Sequence, residues 1–503
     1  VLSNNPTNIQ PIGIHPTVTE PTVIQGGMGI AVSNWRLARA VSRLGQLGVV
    51  SGTALDQVLA RRLQDGDPDG QMRHGLNHFP FPEMAERIWD AYFILGGKRS
   101  DQAYKRLPMH VKDDAREMQE LCIVANFVEV FLAREGHTNP VGINYLEKVQ
   151  IPHLPSIYGA MLAGALYVLM GAGIPLKIPG VLDSFVNHSA ASYPMQVTPP
   201  EYALLTEPPD AQLTFVPRDF MEKEMPPLER PKFLAIIASN TLATTMVKKA
   251  NGRVDGFIVE GPTAGGHNAP PRGKLQLTET GEPIYGERDM VNLAQLRELQ
   301  LPFWLAGGYG NPAKLHEALA DGAAGIQVGT AFAFCDESGL APEYKQAILH
   351  DVKNGTARVV TDPLASPTSF PFKVVQVAGS LSDEEVYDAR PRICDLGYLR
   401  EAYTTPDGTI GYRCAGEPEN VYLGKGGKLE STEGRKCLCN ALLANIGLPQ
   451  IRNNTYKEQA LITAGNDLNE LLALLPEAGV SYSAEEVVGY LMESKIELSG
   501  ISG

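Results

Sequence analysis

The chain has 503 residues and a formal charge of −14. That acidity argues against a nucleic-acid binder, which carries a basic stripe, and against docking on an anionic membrane. A hydrophobic fraction of 44% and a charged fraction of 20% are globular values, so the 50 glycines and 37 prolines belong to turns and to places where backbone approaches a ligand closely.

Short apolar runs ending in small residues alternate with helical patterns along the chain. The N-terminal VLSNNPTNIQPIGIHP lacks a basic segment followed by an apolar core, so no signal peptide is expected and the cytoplasm is the default location. The first run is PTVIQGG (21–27), and a helix follows it with Asn34 as N-cap and Gly45 as stop. The second is LGVVSG (47–52). Residues 53–139 then show charged helical patterns, read as an insertion at about 55–135. The third run is PVGINY (140–145), with a helix expected over 157–171 and a fourth strand over IPLKIPG (174–180). The uncharged stretch 157–176 is long enough to span a membrane, but its glycines and proline suit a buried helix and strand better. A proline-rich segment, read as a second insertion at about 181–230, precedes KFLAIIAS (232–239) and a helix from Asn240. VDGFIVEG (254–261), LPFWLAGG (301–308) with a helix over 312–321, and AGIQVGTAF (324–332) complete eight runs.

Continuous apolar strands alternating with helices indicate a parallel sheet buried on both faces. Eight units point to a (β/α)8 TIM barrel with helical insertions, and a doubly wound sheet is the alternative. Beyond about residue 350 the pattern stops. DPLASPTSFPF (362–372) reads as an extended linker, and a helical tail is expected over 466–495. The expected division is a barrel over 1–355 and a C-terminal cysteine-containing extension over 356–503.

Chemistry belongs at the carboxyl ends of the strands. There, LAGGYG (305–310) and IQVGTAF (326–332) end the last two strands, where many barrels bind a phosphate through bare backbone. EGPTAGGHN (260–268) presents His267 on a glycine-rich loop, and an imidazole there can exchange a proton near pH 7. IQGGMG (24–29) offers a bare surface for a flat ring, with Asn144 on the same face.

IQGGMG, VGINY, VEGPTAGGH, LAGGYG and IQVGTAF occur in the order found in FMN-dependent nitronate monooxygenases. Residues 20–350 thus resemble a superfamily that also contains FMN-dependent enoyl-acyl-carrier-protein reductases and trans-acting enoyl reductases. The resemblance implies FMN as cofactor. Its phosphate would meet Gly307, Gly308, Gly329 and Thr330, with Gln327 in the same motif. Its ring would lie near Gly26, Gly27, Met28 and Asn144, with Glu260 and Gly265 lining the cofactor side of the His loop. His267 matches the catalytic histidine. The implied activity is oxidation of alkyl nitronates with O2 to carbonyl plus nitrite. Alternatives are NAD(P)H-dependent reduction of an enoyl thioester, or a flavoprotein subunit of a larger synthase or redox complex. The partners so implied are a small-molecule substrate and, beyond it, a homo-oligomer, carrier protein or redox partner. Two departures stand out. The family's basic residue near the end of strand five is replaced here by Ser239 and Asn240, and the loop after His267 reads NAPPRG. His188 and Tyr309, on strand-end loops, are further candidates to reach substrate.

Cys394, Cys414, Cys437 and Cys439 follow a C-x19-C-x22-C-x-C pattern. Four thiolates could hold zinc or an iron–sulfur cluster, or stay unligated, since the spacing departs from the usual C-x2-C pairs. Cys122 and Cys335 sit in apolar contexts and read as small core residues.

Overall fold

A ring of eight short strands organises the molecule. They are β1 (Val23–Gln25), β2 (Leu47–Ser51), β3 (Val141–Leu146), β4 (Tyr167–Gly171), β5 (Lys232–Ile237), β6 (Gly256–Glu260), β7 (Phe303–Ala306) and β8 (Gly325–Val328). The structure, a computed structural model, describes residues 20–199, 209–453 and 455–493. Each strand pairs in parallel with its neighbours in sequence, and β1 closes on β8 through Ile24 opposite Gln327. That pairing makes the sheet a closed (β/α)8 barrel, so the doubly wound alternative falls.

Inward-facing Ile24, Leu47, Val49, Tyr167, Leu169, Leu234, Ile258 and Trp304 fill the barrel and exclude water. The helices carry the predicted caps. Asn34 Oδ1 accepts from Leu37 N, and Gly45 is left-handed after the helix Trp35–Arg43. One strand differs from expectation. The fourth lies at Tyr167–Gly171, and 174–180 leads instead into the helix Ile178–Val186. The preceding helix is His153–Leu162, and Gly164 at φ +77° lets the chain turn into the strand three residues later. Both elements are uncharged and mostly apolar from Leu154 onward, so periodicity alone did not separate them. Among the described residues no helix is long and apolar enough to cross a membrane.

The first insertion forms four helices, Leu55–Gln64, Gln71–Asn77, Pro82–Tyr92 and Arg116–Arg134. The second carries Val197–Thr198, which pairs with Glu401–Thr404 of the extension. The extension also pairs Val359–Asp362 with Phe372–Val375. The expected tail is a 3-10 turn at Asn466–Leu474 and a helix at Ala484–Leu491, with its last two positions outside the described residues, as is the N-terminal segment 1–19. The extension lies across the carboxyl ends of the strands. Asn268 N donates to Pro371 O, Lys373 N to Gly266 O, and Gly266 N to Thr463 Oγ1.

Candidate functional site

Barrel and extension together enclose a cavity of about 470 Å3 at the strand ends, a size typical of small-molecule sites. Gly26, Gly27, Met28, Asn144, Glu260, Gly265, His267, Gly307, Gly308, Gln327, Gly329 and Thr330 all line it. The far wall comes from the extension, through Phe372, Leu438, Cys439, Leu442, Ala464 and Asp467.

The β1 end of the cavity is lined by Gly26, Gly27 and the Asn144 amide. A Cβ on Gly27 would sit 2.0 Å from Asn144 Oδ1, so only glycine fits beside this amide. Asn144 Nδ2 donates to Gly27 O at 3.2 Å, leaving Asn144 Oδ1 without a partner. Gln327 Oε1, on β8 beside Gly26, is likewise buried and unpartnered. Two buried acceptors without donors require an explanation, and a ligand bearing N–H groups supplies one.

The β7–β8 end is the expected phosphate locus. Gly307 and Gly308 have φ of +87° and +74°, a backbone that non-glycine residues rarely adopt, and this turn exposes main chain to the cavity. A carboxylate stands at the same place. Thr330 Oγ1 donates to Asp467 Oδ1 at 2.7 Å and accepts from Gly465 N at 3.0 Å. Burial pushes the Asp467 carboxyl up, against the Thr330 hydrogen bond and the charge of Lys373.

His267 is partly buried at the edge of the cavity. Its Nε2 lies 2.7 Å from Ser366 Oγ, and its ring meets Phe372 edge-on at 4.9 Å. Burial first, then the charge of Lys148, pulls its pKa down to about 4, so the imidazole is neutral at pH 7. Glu260, at the end of β6, is pushed by burial up to about 7 and therefore exchanges a proton near neutrality.

Ser366 and Asp467 were not singled out in the sequence. Ser366 lies in the segment read as a linker, which instead orients His267. Lys148, after β3, lies close enough to His267 for its charge to act on the imidazole. Ser239 caps a helix by accepting from Leu242 N, and Asn240 Nδ2 donates to Asn292 O. Tyr309 lines the cavity, whereas His188 does not. The His188 ring is buried, with Nδ1 at Tyr158 OH and Nε2 at Pro226 O, both at 2.9 Å, which is a structural role. Gly265 serves close packing as well as lining, since a Cβ there would meet Ala464 C at 2.9 Å.

The four C-terminal cysteines do not converge as a ligand set. The one group of three ligand atoms within 4.8 Å of one another among the described residues lies elsewhere. The Cys394 thiol lies beside that of Cys414. Cys437 accepts from Asn440 Nδ2 at 3.6 Å, and Cys439 faces the cavity. A second cavity of about 970 Å3 shares Val149, Tyr398 and Leu399 with the first and is bordered by Lys148, Arg400 and Arg413.

Residues 210–364 match the nitronate monooxygenase family model. The resemblance to nitronate monooxygenases read from the motifs is borne out. The matched nitronate monooxygenase segment runs from before β5 to beyond β8 and includes Glu260, His267, Gly307 and Thr330. A nitronate monooxygenase of Pseudomonas aeruginosa is 26% identical over 250 residues, covering 49% of this chain and 62% of that relative. A probable nitronate monooxygenase of Bacillus subtilis is 33% identical over 111 residues, covering 22% of this chain and 30% of the relative. The chain thus matches less than two thirds of the length of these relatives. The solved structure of FabK from Thermotoga maritima is 15% identical with a TM-score of 0.46, covering 95% of each chain.

Proposed function

We propose that this chain is an FMN-dependent oxidoreductase that oxidises alkyl nitronates with O2 to a carbonyl compound and nitrite. One observation carries the reading. His267, the unpartnered Asn144 and Gln327 oxygens, and the bare Gly307–Gly308 turn open into one cavity at the barrel's carboxyl end. The residues fit a flavin, because the orphan acceptors suit ring N–H donors and Gly27 leaves no side chain in the way. Gly26, Gly27, Met28, Asn144 and Gln327 would hold the ring, and Gly307, Gly308, Gly329 and Thr330 the phosphate. FMN bound there would supply the electron acceptor for the nitronate and the donor to oxygen.

The protein's own groups do the rest. Neutral His267 hydrogen-bonds the nitro group, or takes the α-proton when the substrate arrives as the nitroalkane. Ser366 holds the imidazole in one orientation. The extension walls one side of the cavity, and shielding from water there strengthens these polar contacts. A second reading, an NAD(P)H-dependent enoyl-thioester reductase, is favoured by the larger adjoining cavity, which offers room and cationic walls for a long phosphate-bearing substrate. Anaerobic mixing separates the two. Bleaching of the flavin by propyl-2-nitronate supports the first reading, and bleaching by NADPH alone overturns it.

A further inference from the structure

Beyond the cavity floor, one buried cluster of ligand-type side chains has no part in this chemistry. Asp56 lies in the first turn of Leu55–Gln64, Cys122 lies in Arg116–Arg134, and His110 comes from the segment between these helices. One ligand atom from each lies within 4.8 Å of the other two, and all three residues are buried. His110 Nε2 stands 3.1 Å from Asp56 Oδ2, and its Nδ1 is hydrogen-bonded to Asp114 Oδ2. Tyr398, from the C-terminal extension, donates its hydroxyl to Asp56 at 2.6 Å.

We propose that Asp56, His110 and Cys122 form a structural site for a divalent transition metal of the zinc type. Carboxylate, imidazole and thiolate together are a donor set that zinc takes, at bond lengths of about 2.0–2.3 Å. Such lengths put any two ligand atoms within about 4.4 Å of each other, so the present arrangement is a small side-chain adjustment away from coordination. Asp114 already stands where metal-bound histidines place a carboxylate. Its bond to Nδ1 fixes the tautomer that offers Nε2 to the metal.

Tyr398 links the site to the cavity, whose wall it also forms, and a metal would tie together the helices of the first insertion that Tyr398 contacts.

The test uses the full chain. Purified without chelator, it is expected to hold roughly one zinc per chain. After stripping and loading with Co2+, it should show thiolate-to-cobalt charge-transfer absorption. That band should vanish in Cys122→Ser and persist in Cys335→Ser, which alters a buried thiol elsewhere. Asp114→Asn should keep the band at saturating Co2+ but weaken Co2+ binding by about 10- to 100-fold, and it decides the matter if Cys122→Ser does not fold. A wild-type chain with neither stoichiometric metal nor the band would overturn the site. So would a band that survives Cys122→Ser, or unchanged affinity in Asp114→Asn.

Discussion

The hydroxyl of Thr330 donates to the carboxylate of Asp467, 137 residues away, across the mouth of the barrel. The extension thereby places an acid where the family resemblance puts an FMN phosphate. Lys373 and Glu470 are the other charged groups acting on it, with opposite signs. When ionised, Asp467 repels a phosphate dianion, and at about 4 Å even a screened pair of charges is worth a few kcal/mol. Asp467→Asn is therefore expected to tighten FMN binding by about tenfold or more while leaving riboflavin, which lacks the phosphate, nearly unchanged. Titration of the apoprotein with both flavins checks this. Because burial raises the Asp467 pKa, the repulsion is present above that pKa and lost as pH falls through it. The Asn variant should remove that part of the pH dependence.

His267 is held neutral by burial, with its protonation displaced down to about 4. Its acid limb should therefore appear near pH 4, activity falling as the imidazole gains a proton. His267→Asn should retain flavin absorbance and lose at least about 10²-fold in turnover. Ser366→Ala leaves the imidazole in place but frees its orientation, and a smaller loss in kcat with the same flavin content is expected. Steady-state kinetics alongside visible spectra distinguish the two.

Glu260 should give a titration near pH 7. A raised carboxyl disfavours the charged state, so Glu260 costs the folded protein stability above pH 7 and nothing below its unfolded value. Glu260→Gln should abolish the step near pH 7 in a pH–rate profile and raise the melting temperature more at pH 8 than at pH 5. A step that survives the substitution belongs to another group.

Gly265 tests whether the extension closes the cavity. A Cβ there meets Ala464 backbone at 2.9 Å, and overpacking of this kind costs roughly 1–3 kcal/mol. Gly265→Ala should loosen the extension, increase proteolysis within 356–503 and weaken flavin binding. Gly266→Ala, with open space around its Cβ but φ at +77°, should strain the His267 loop without displacing the extension. Limited proteolysis of the two variants separates these effects.

Much of the barrel was legible because its signals are local. Seven of the eight runs coincide with observed strands, since a strand buried on both faces must be continuously apolar. The strand ends were legible for a similar reason, since a bare turn needs glycine in the residue itself, as at Gly307. The fourth strand was misplaced because an apolar helix and an apolar strand follow each other with only Ala163 to Leu166 between them, and hydrophobicity does not distinguish them.

By itself, then, the sequence determined an acidic barrel chain with a glycine-marked face and a histidine on it. Only the tertiary structure decided what stands opposite. Ser366 reaches His267 over a separation of 99 residues, and Asp467 reaches Thr330 over 137. The Asp56–His110–Cys122 cluster draws on two helices and the segment between them. Contacts of that kind leave no periodic trace along the chain. They arise from how the extension and the first insertion pack against the barrel, which is settled by burial across the whole molecule.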